Sequence, residues 1–146
     1  MQVWDARLRR KVHVLDDPQE QVTSLCRMES LGLVIAGSVD TNLYVYKVPP
    51  LAWMKSAKPK LLATLGEHIR GIADLRADDE SGRMVSLGNS SSELFVWDMR
   101  LLRLLTKVRG HTEDIVGFGL MPADPFHLMT CDAVGIVRMW HIGSYS

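Results

Sequence analysis

Self-similarity constrains this chain more than any other feature of its sequence. A short alternating run closing on an aromatic residue occurs four times: Val3-Trp4-Asp5, Leu43-Tyr44-Val45-Tyr46-Lys47, Leu94-Phe95-Val96-Trp97-Asp98 and Ile136-Val137-Arg138-Met139-Trp140-His141. The closing aromatics Trp4, Tyr46, Trp97 and Trp140 stand 42, 51 and 43 residues apart. A fixed period of about 40 to 50 residues is the mark of a repeat architecture, in which each unit buries its apolar faces against its neighbours. The longer interval carries one insertion, residues 48–60. A histidine follows a turn upstream of the last two aromatics, in Gly66-Glu67-His68 and Gly110-His111, and both His-to-Trp intervals are 29 residues.

Between these landmarks the apolar residues come in short pieces bounded by Gly, Asp, Asn, Ser and Pro, the pattern of strands joined by turns. No stretch keeps a 3.6-residue period long enough for a helix. Strands are expected at residues 22–26, 33–37, 42–47 and 60–65 in the first unit and at 69–75, 83–88, 93–98 and 104–108 in the second. The third unit supplies 114–120, 127–131 and 136–142, and the chain opens with a third strand ending at Asp5 and a fourth at 11–15. Four antiparallel strands per unit, repeated about an axis, make a propeller blade. The fold class is therefore all-β, about three four-stranded blades of a larger or incomplete ring: residues 1–15 end a preceding blade, and 16–65, 66–109 and 110–146 form three more, the last without its outer strand.

The chain resembles the WD-repeat family of β-propellers along nearly its whole length. Gly110-His111, Thr130, Gly135 and Trp140 carry the resemblance in the last unit, His68, Gly88, Trp97 and Asp98 in the middle one, and Ala36-Gly37-Ser38, Asp40 and Tyr46 in the first. The resemblance implies that His68, His111, Asp40, Ser86, Thr130, Trp97 and Trp140 are structural, joined in buried hydrogen-bond networks of His, Ser or Thr, Asp and Trp that tie a blade's strands together. No unit shows all four by spacing. Val134 and Ser91 occupy the expected positions of the turn Asp, with Asp132 two residues early, and Tyr46 stands where Trp is expected in the first unit.

Such a family implies a scaffold that presents its faces to other proteins inside a multi-subunit assembly. An arc of three blades exposes apolar faces and a strand edge, so the expected partner is the rest of a larger propeller or another chain completing the ring. The 17 basic and 17 acidic residues cancel, which gives no steering toward nucleic acid or an anionic membrane. No apolar run is long enough for a spanning helix. Two distant cysteines, Cys26 and Cys131, make neither a disulfide framework nor a zinc motif, and a reduced cytoplasmic or nuclear setting is expected. Phosphate loops, nucleophile elbows and metal-binding His-Glu patterns are missing from the sequence, so no catalytic residue, metal or cofactor is expected, and a propeller enzyme stands only as the third alternative after scaffold and ligase receptor.

Three features are candidate partner sites. Trp97-Asp98-Met99-Arg100 and Trp4-Asp5-Ala6-Arg7 resemble the Trp-Asp-x-Arg element of WD-repeat substrate receptors of cullin-4 ubiquitin ligases, which implies adaptor contacts by Asp98, Arg100, Asp5 and Arg7; alternatively, each Asp caps a turn and each Arg is solvated. The insertion places Leu51, Trp53, Met54 and Lys55 after two prolines, either as exposed anchors or folded against the blade edge. Twelve of the 17 basic residues lie around the third-to-fourth strand connections and acidic residues mark the leading turns. This pattern gives one positive rim opposite a negative face, or simply solubilising edge charge.

Overall fold

The computed structural model describes residues 1–7, 9–50, 58–121 and 124–142, with backbone alone at 124–126. Among these residues there is no helix, and the chain is all-β: thirteen strands in four antiparallel sheets. A two-stranded N-terminal pair holds β1 (Gln2–Asp5) and β2 (Arg10–Val14). The first sheet runs β3 (Val22–Met28), β4 (Leu33–Ser38), β5 (Leu43–Lys47) and β6 (Lys60–Leu65). The second runs β7 (Ile72–Asp78), β8 (Arg83–Gly88), β9 (Glu93–Asp98) and β10 (Arg103–Arg109). The third has β11 (Ile115–Met121), β12 (Asp124–Asp132) and β13 (Val137–His141). Every sheet is an up-and-down meander in which consecutive strands pair, most of them through short Gly-, Asp- or Ser-containing connections and β5 with β6 across the insertion.

The sheets repeat one another in detail. A β-bulge interrupts the pairing of the first two strands at Val22/Ser24, Ile72/Asp74 and Ile115/Gly117. A second bulge recurs in the third-to-fourth pairing, at Val3/Trp4, Val45/Tyr46 and Leu104/Thr106. Each extra residue bends its strand and increases the local twist, so bulges in phase give every sheet the same curvature. Turn hydrogen bonds recur as well: Val39 N to Gln21 O at 2.9 Å, Asn89 N to Gly71 O at 2.7 Å and Ala133 N to Asp114 O at 2.9 Å. Gly32 and Gly82 take φ of +65° and +72° between the first and second strands, and their carbonyls receive Val48 N and Met99 N at 2.8 Å. Only glycine adopts that left-handed backbone without a side-chain penalty.

Alternation sends side chains to both faces, and the inner faces meet the neighbouring sheets. Along β4 and β5, Ile35, Leu43 and Val45 join Ile72, Leu75, Met84, Phe95 and Trp97 in a core between the first and second sheets. Ala36, Tyr44 and Tyr46 point the other way, onto Leu15, Met1 and Val3 of the N-terminal pair. Val85, Leu87, Leu94 and Val96 leave the back of the second sheet to pack on Ile115, Leu128 and Ile142 of the third. The middle strands are therefore buried on both faces, with every residue from Leu43 to Tyr46 and from Leu94 to Trp97 buried. Each fully buried aliphatic side chain contributes roughly 1.5–3 kcal/mol. Thr23 Oγ1 donates to Ile72 O at 2.5 Å, Ile115 N to Ser91 O at 2.8 Å, and Arg83 Nη1 to Ile142 O, joining neighbouring sheets directly.

The strand expectations hold closely for three strands: 60–65, 83–88 and 93–98 coincide with β6, β8 and β9. The first strand of the second sheet is displaced. It begins at Ile72, and Ile69 lies in the preceding turn.

Candidate interaction site

Each of the three larger sheets carries a polar fastening at the end where its leading turn meets the hairpin between its second and third strands. In the third sheet, Trp140 Nε1 on β13 donates to Thr130 Oγ1 on β12 at 2.9 Å. His111 Nε2 lies 2.6 Å from the same oxygen, and His111 Nδ1 lies 2.9 Å from Asp132 Oδ2. The other oxygen, Asp132 Oδ1, accepts Val134 N at 3.1 Å and Ile136 N at 3.0 Å. His111, Thr130 and Asp132 are buried, and every polar atom of the group has a partner, as burial demands. The His111 hydrogen bond and the two backbone amides hold the Asp132 carboxyl below its ordinary pKa.

The four-residue network is therefore complete in this unit, contrary to the spacing argument. Asp132, not the residue at position 134, is the acidic member: it ends β12, and its side chain turns back under the hairpin. Val134 is exposed.

In the second sheet, Trp97 Nε1 donates to Ser86 Oγ at 2.8 Å and His68 Nε2 lies 2.6 Å from it. Ser86 pairs with Phe95 as Thr130 pairs with Arg138, so the two hydroxyls are equivalent. Two residues beyond Ser86 stands Gly88 where the third sheet has Asp132, and the acidic member is missing. Ser91 does not replace it: its hydroxyl donates to Glu93 O and accepts Glu93 N within its own turn. The His68 ring stacks on Phe95 with centroids 4.0 Å apart, and burial depresses the imidazole pKa to about 4.

The first sheet solves the same problem with other residues. Tyr46 is fully buried and its hydroxyl donates to Asp17 Oδ2 at 2.9 Å, across to the leading turn that lacks a histidine. Burial, then the Asp17 carboxylate, pushes the phenol well above its ordinary pKa and keeps it protonated. Asp40 is the hub of the hairpin: its carboxylate accepts Asn42 N at 3.0 Å, Gln19 N at 3.0 Å and Tyr44 Oη at 2.6 Å. These hydrogen bonds outweigh its partial desolvation and lower its pKa.

The Trp-Asp-x-Arg turns lie at the opposite end. Asp98 Oδ1 accepts Arg100 N at 3.0 Å and Leu101 N at 3.2 Å, and Asp5 Oδ1 accepts Arg7 N at 3.0 Å. The Arg100 guanidinium donates to Ser81 O at 3.1 Å and Glu80 O at 2.7 Å, clamping the neighbouring β7–β8 turn. That turn brings Asp78, Asp79 and Glu80 to the same end as Arg100, and Asp79 also receives Ser30 N from the first sheet at 3.0 Å. The basic connections therefore mix with acidic turns instead of forming a rim of one sign. Leu51, Trp53, Met54 and Lys55 lie outside the described residues.

The two cysteines are free. Burial, then the Asp74 charge, pushes the Cys26 thiol up to about 12, so it stays an inert packing group beside Met84. His127 and His141 pair across β12 and β13 with ring centroids 4.8 Å apart. Among the described residues, no three His, Cys, Asp or Glu side chains come together as a metal would need. No protein-family model matches the chain.

Proposed function

We propose that the chain is a protein-binding scaffold of the propeller type, each sheet a blade and the stacked sheets an arc of a larger ring. The observation that carries this reading is a contrast between two equivalent tryptophans. Trp4 pairs with Lys11 and Asp5 with Arg10, as Trp97 pairs with Leu104 and Asp98 with Arg103. Trp97 is 1% exposed against the preceding sheet, whereas Trp4, on the same face of the N-terminal pair, is 57% exposed. Leu25 on the first sheet and Val137 and Met139 on the third are exposed as well. Apolar surface left bare on a stack of sheets that otherwise cover one another is surface shaped for another protein layer. That layer is either further blades of the same propeller or a partner chain completing the ring.

The test is a pair of tagged proteins purified from cells after mild cross-linking, the natural chain and one carrying Trp4→Ser with Met139→Asp. The natural chain should bring down a defined set of proteins that the variant loses while keeping its β-sheet circular dichroism. Recovery of the same proteins by both, or of nothing above an untagged control, would overturn the reading.

The Trp-Asp-x-Arg turns favour a narrower form, in which the chain receives substrates for a cullin-4 type ubiquitin ligase. Both turns share one geometry, an Asp carboxylate capping the Arg amide two residues on. Replacing Asp98 and Arg100 together by Ala should then remove only the ligase adaptor from the recovered proteins. An unchanged adaptor signal would remove this form and leave the scaffold standing.

A further inference from the structure

The second and third sheets carry the same fastening with one difference, and that difference leaves a hydrogen-bond donor without its acceptor. In the third sheet a relay runs Trp140 to Thr130 to His111 to Asp132. In the second it runs Trp97 to Ser86 to His68 and stops. The proton positions follow from counting. Ser86 Oγ already accepts the Trp97 N–H, and among the described residues the one acceptor within reach of its own proton is His68 Nε2 at 2.6 Å. The hydroxyl proton therefore goes to Nε2, and the neutral ring carries its proton on Nδ1. In His111 the corresponding N–H meets Asp132 Oδ2. For His68 Nδ1, no acceptor lies in hydrogen-bond reach among the described residues.

What faces that donor is a cavity. A cleft of about 180 Å³ opens between the leading turn and the β8–β9 hairpin, lined by His68, Ile69, Arg70, Gly88, Ser90, Ser91, Ser92, Glu93 and Phe95. That volume is ample for a carboxylate. A Cβ built on Gly88 would sit 3.3 Å from His68 Nδ1 and 3.6 Å from Arg70 Cβ. The carboxylate that Asp132 supplies in the third sheet thus has no counterpart on Gly88, whose missing side chain would start in close contact with the His68 ring, and the cleft lies beside that position. The hairpin is also one residue longer: Trp97 follows Ser86 by 11 positions, whereas Trp140 follows Thr130 by 10. The acidic group on the cleft, Glu93, is held by Arg109 Nε at 2.6 Å, and Arg70 adds a cation at the mouth. Beside Arg70, Ile69 is 91% exposed, the barest large apolar side chain among the described residues.

We propose that this cleft is a carboxylate-binding site, in which an incoming carboxylate accepts His68 Nδ1–H and lies against Arg70 and the serine hairpin. The source is an Asp or Glu side chain of a bound protein, whose neighbouring apolar residue covers Ile69. The choice of source rests on the scaffold reading; the carboxylate site itself does not.

The experiment titrates the 15N-labelled chain with sodium acetate, following the His68 ring nitrogens and the amides of Ser90, Ser91 and Ser92. A protonated Nδ1 and a saturable shift confined to these groups are expected. Gly88→Asp, whose own carboxylate fills the cleft, should abolish the shift. Arg70→Ala, a surface change that keeps the test readable if Gly88→Asp fails to fold, should weaken acetate binding severalfold. A proton on Nε2, no saturable shift, or the same shift in both variants overturns the site. A second arm uses a short blocked peptide with one Glu flanked by Leu residues. It should bind more tightly than acetate, and Ile69→Ser should weaken the peptide about tenfold without changing the acetate response. If peptide and acetate bind equally and Ile69→Ser affects neither, the protein source is overturned while the carboxylate site and the scaffold reading each stand on their own tests.

Discussion

Trp97 Nε1 and Ser86 Oγ meet at 2.8 Å across β8 and β9, and the same serine oxygen lies 2.6 Å from His68 Nε2. One hydroxyl thus joins two strands and the leading turn of a sheet, and all three residues are buried. Ser86→Ala would leave an indole N–H and an imidazole nitrogen without partners in the interior. An unpaired buried polar group costs about 1–3 kcal/mol, so the variant should lose about 3 kcal/mol in urea-induced unfolding. Ser86→Thr should lose less than about 1 kcal/mol, because Thr130 fills the equivalent place in the third sheet. Equal losses for both changes would mean that packing around position 86, not the hydroxyl, sets the cost.

Stability should also fall with acid in a window that His68 defines. Its ring is neutral in the folded chain, with a pKa depressed to about 4 by burial, against an ordinary value of 6.5. Lys107 adds to the depression and Glu93 opposes it; Arg70 and Arg109 also border the ring's surroundings. The unfolded chain takes up the proton from pH 6.5 downward and the folded chain resists until about pH 4, so the unfolded state binds more protons across that interval. Stability is full above pH 6.5, declines as the pH drops toward 4, and levels off for this group below that. His68→Gln, though less stable at neutral pH, should show a flatter profile over the same interval when unfolding free energies are measured at successive pH values. Asp132, whose carboxyl is depressed by His111, contributes at lower pH: its share is present above the ordinary carboxylate value and disappears as the pH falls below it. A profile of unchanged slope in His68→Gln would assign the acid limb elsewhere.

The repeat was legible in the sequence because its period is carried by the closing aromatics, and strands buried on both faces leave continuous apolar runs such as Leu94-Phe95-Val96-Trp97. The first strand of each sheet was harder to place. β7 alternates buried Ile72 and Leu75 with exposed or half-exposed Asp74 and Arg76, and its bulge breaks the two-residue period. Ile69 looked like the start of that strand only because apolarity does not distinguish a core residue from a bare turn. Asp132 was passed over for a related reason. Counting six residues back from Trp140 lands on Val134, but hydrogen-bonding geometry depends on where β12 ends and how its last side chain turns, which spacing does not record. The substitution of Gly88 for that acid was visible in the sequence. Its meaning appeared only once Ser86 and Thr130 could be set in register through their strand pairings.

Gly110 marks a different limit, set by close approach. It takes φ of +153° immediately before His111, and a Cβ at this position would lie 2.5 Å from Trp140 Cη2, well inside any real carbon contact. The indole cannot retreat freely, because its Nε1 is tied to Thr130 Oγ1 at 2.9 Å. Gly110→Ala should therefore force the leading turn away from the sheet and pull His111 off Thr130. The expected cost is about 3 kcal/mol, the upper end for overpacking, read from denaturant unfolding and from loss of near-ultraviolet circular dichroism. A double-mutant cycle separates contact from backbone strain. In a Trp140→Phe background the six-membered ring of the indole is gone, and the same Gly110→Ala change should lose less than half as much stability. If its cost stays the same there, the penalty belongs to the backbone of Gly110 and not to the meeting of glycine and indole.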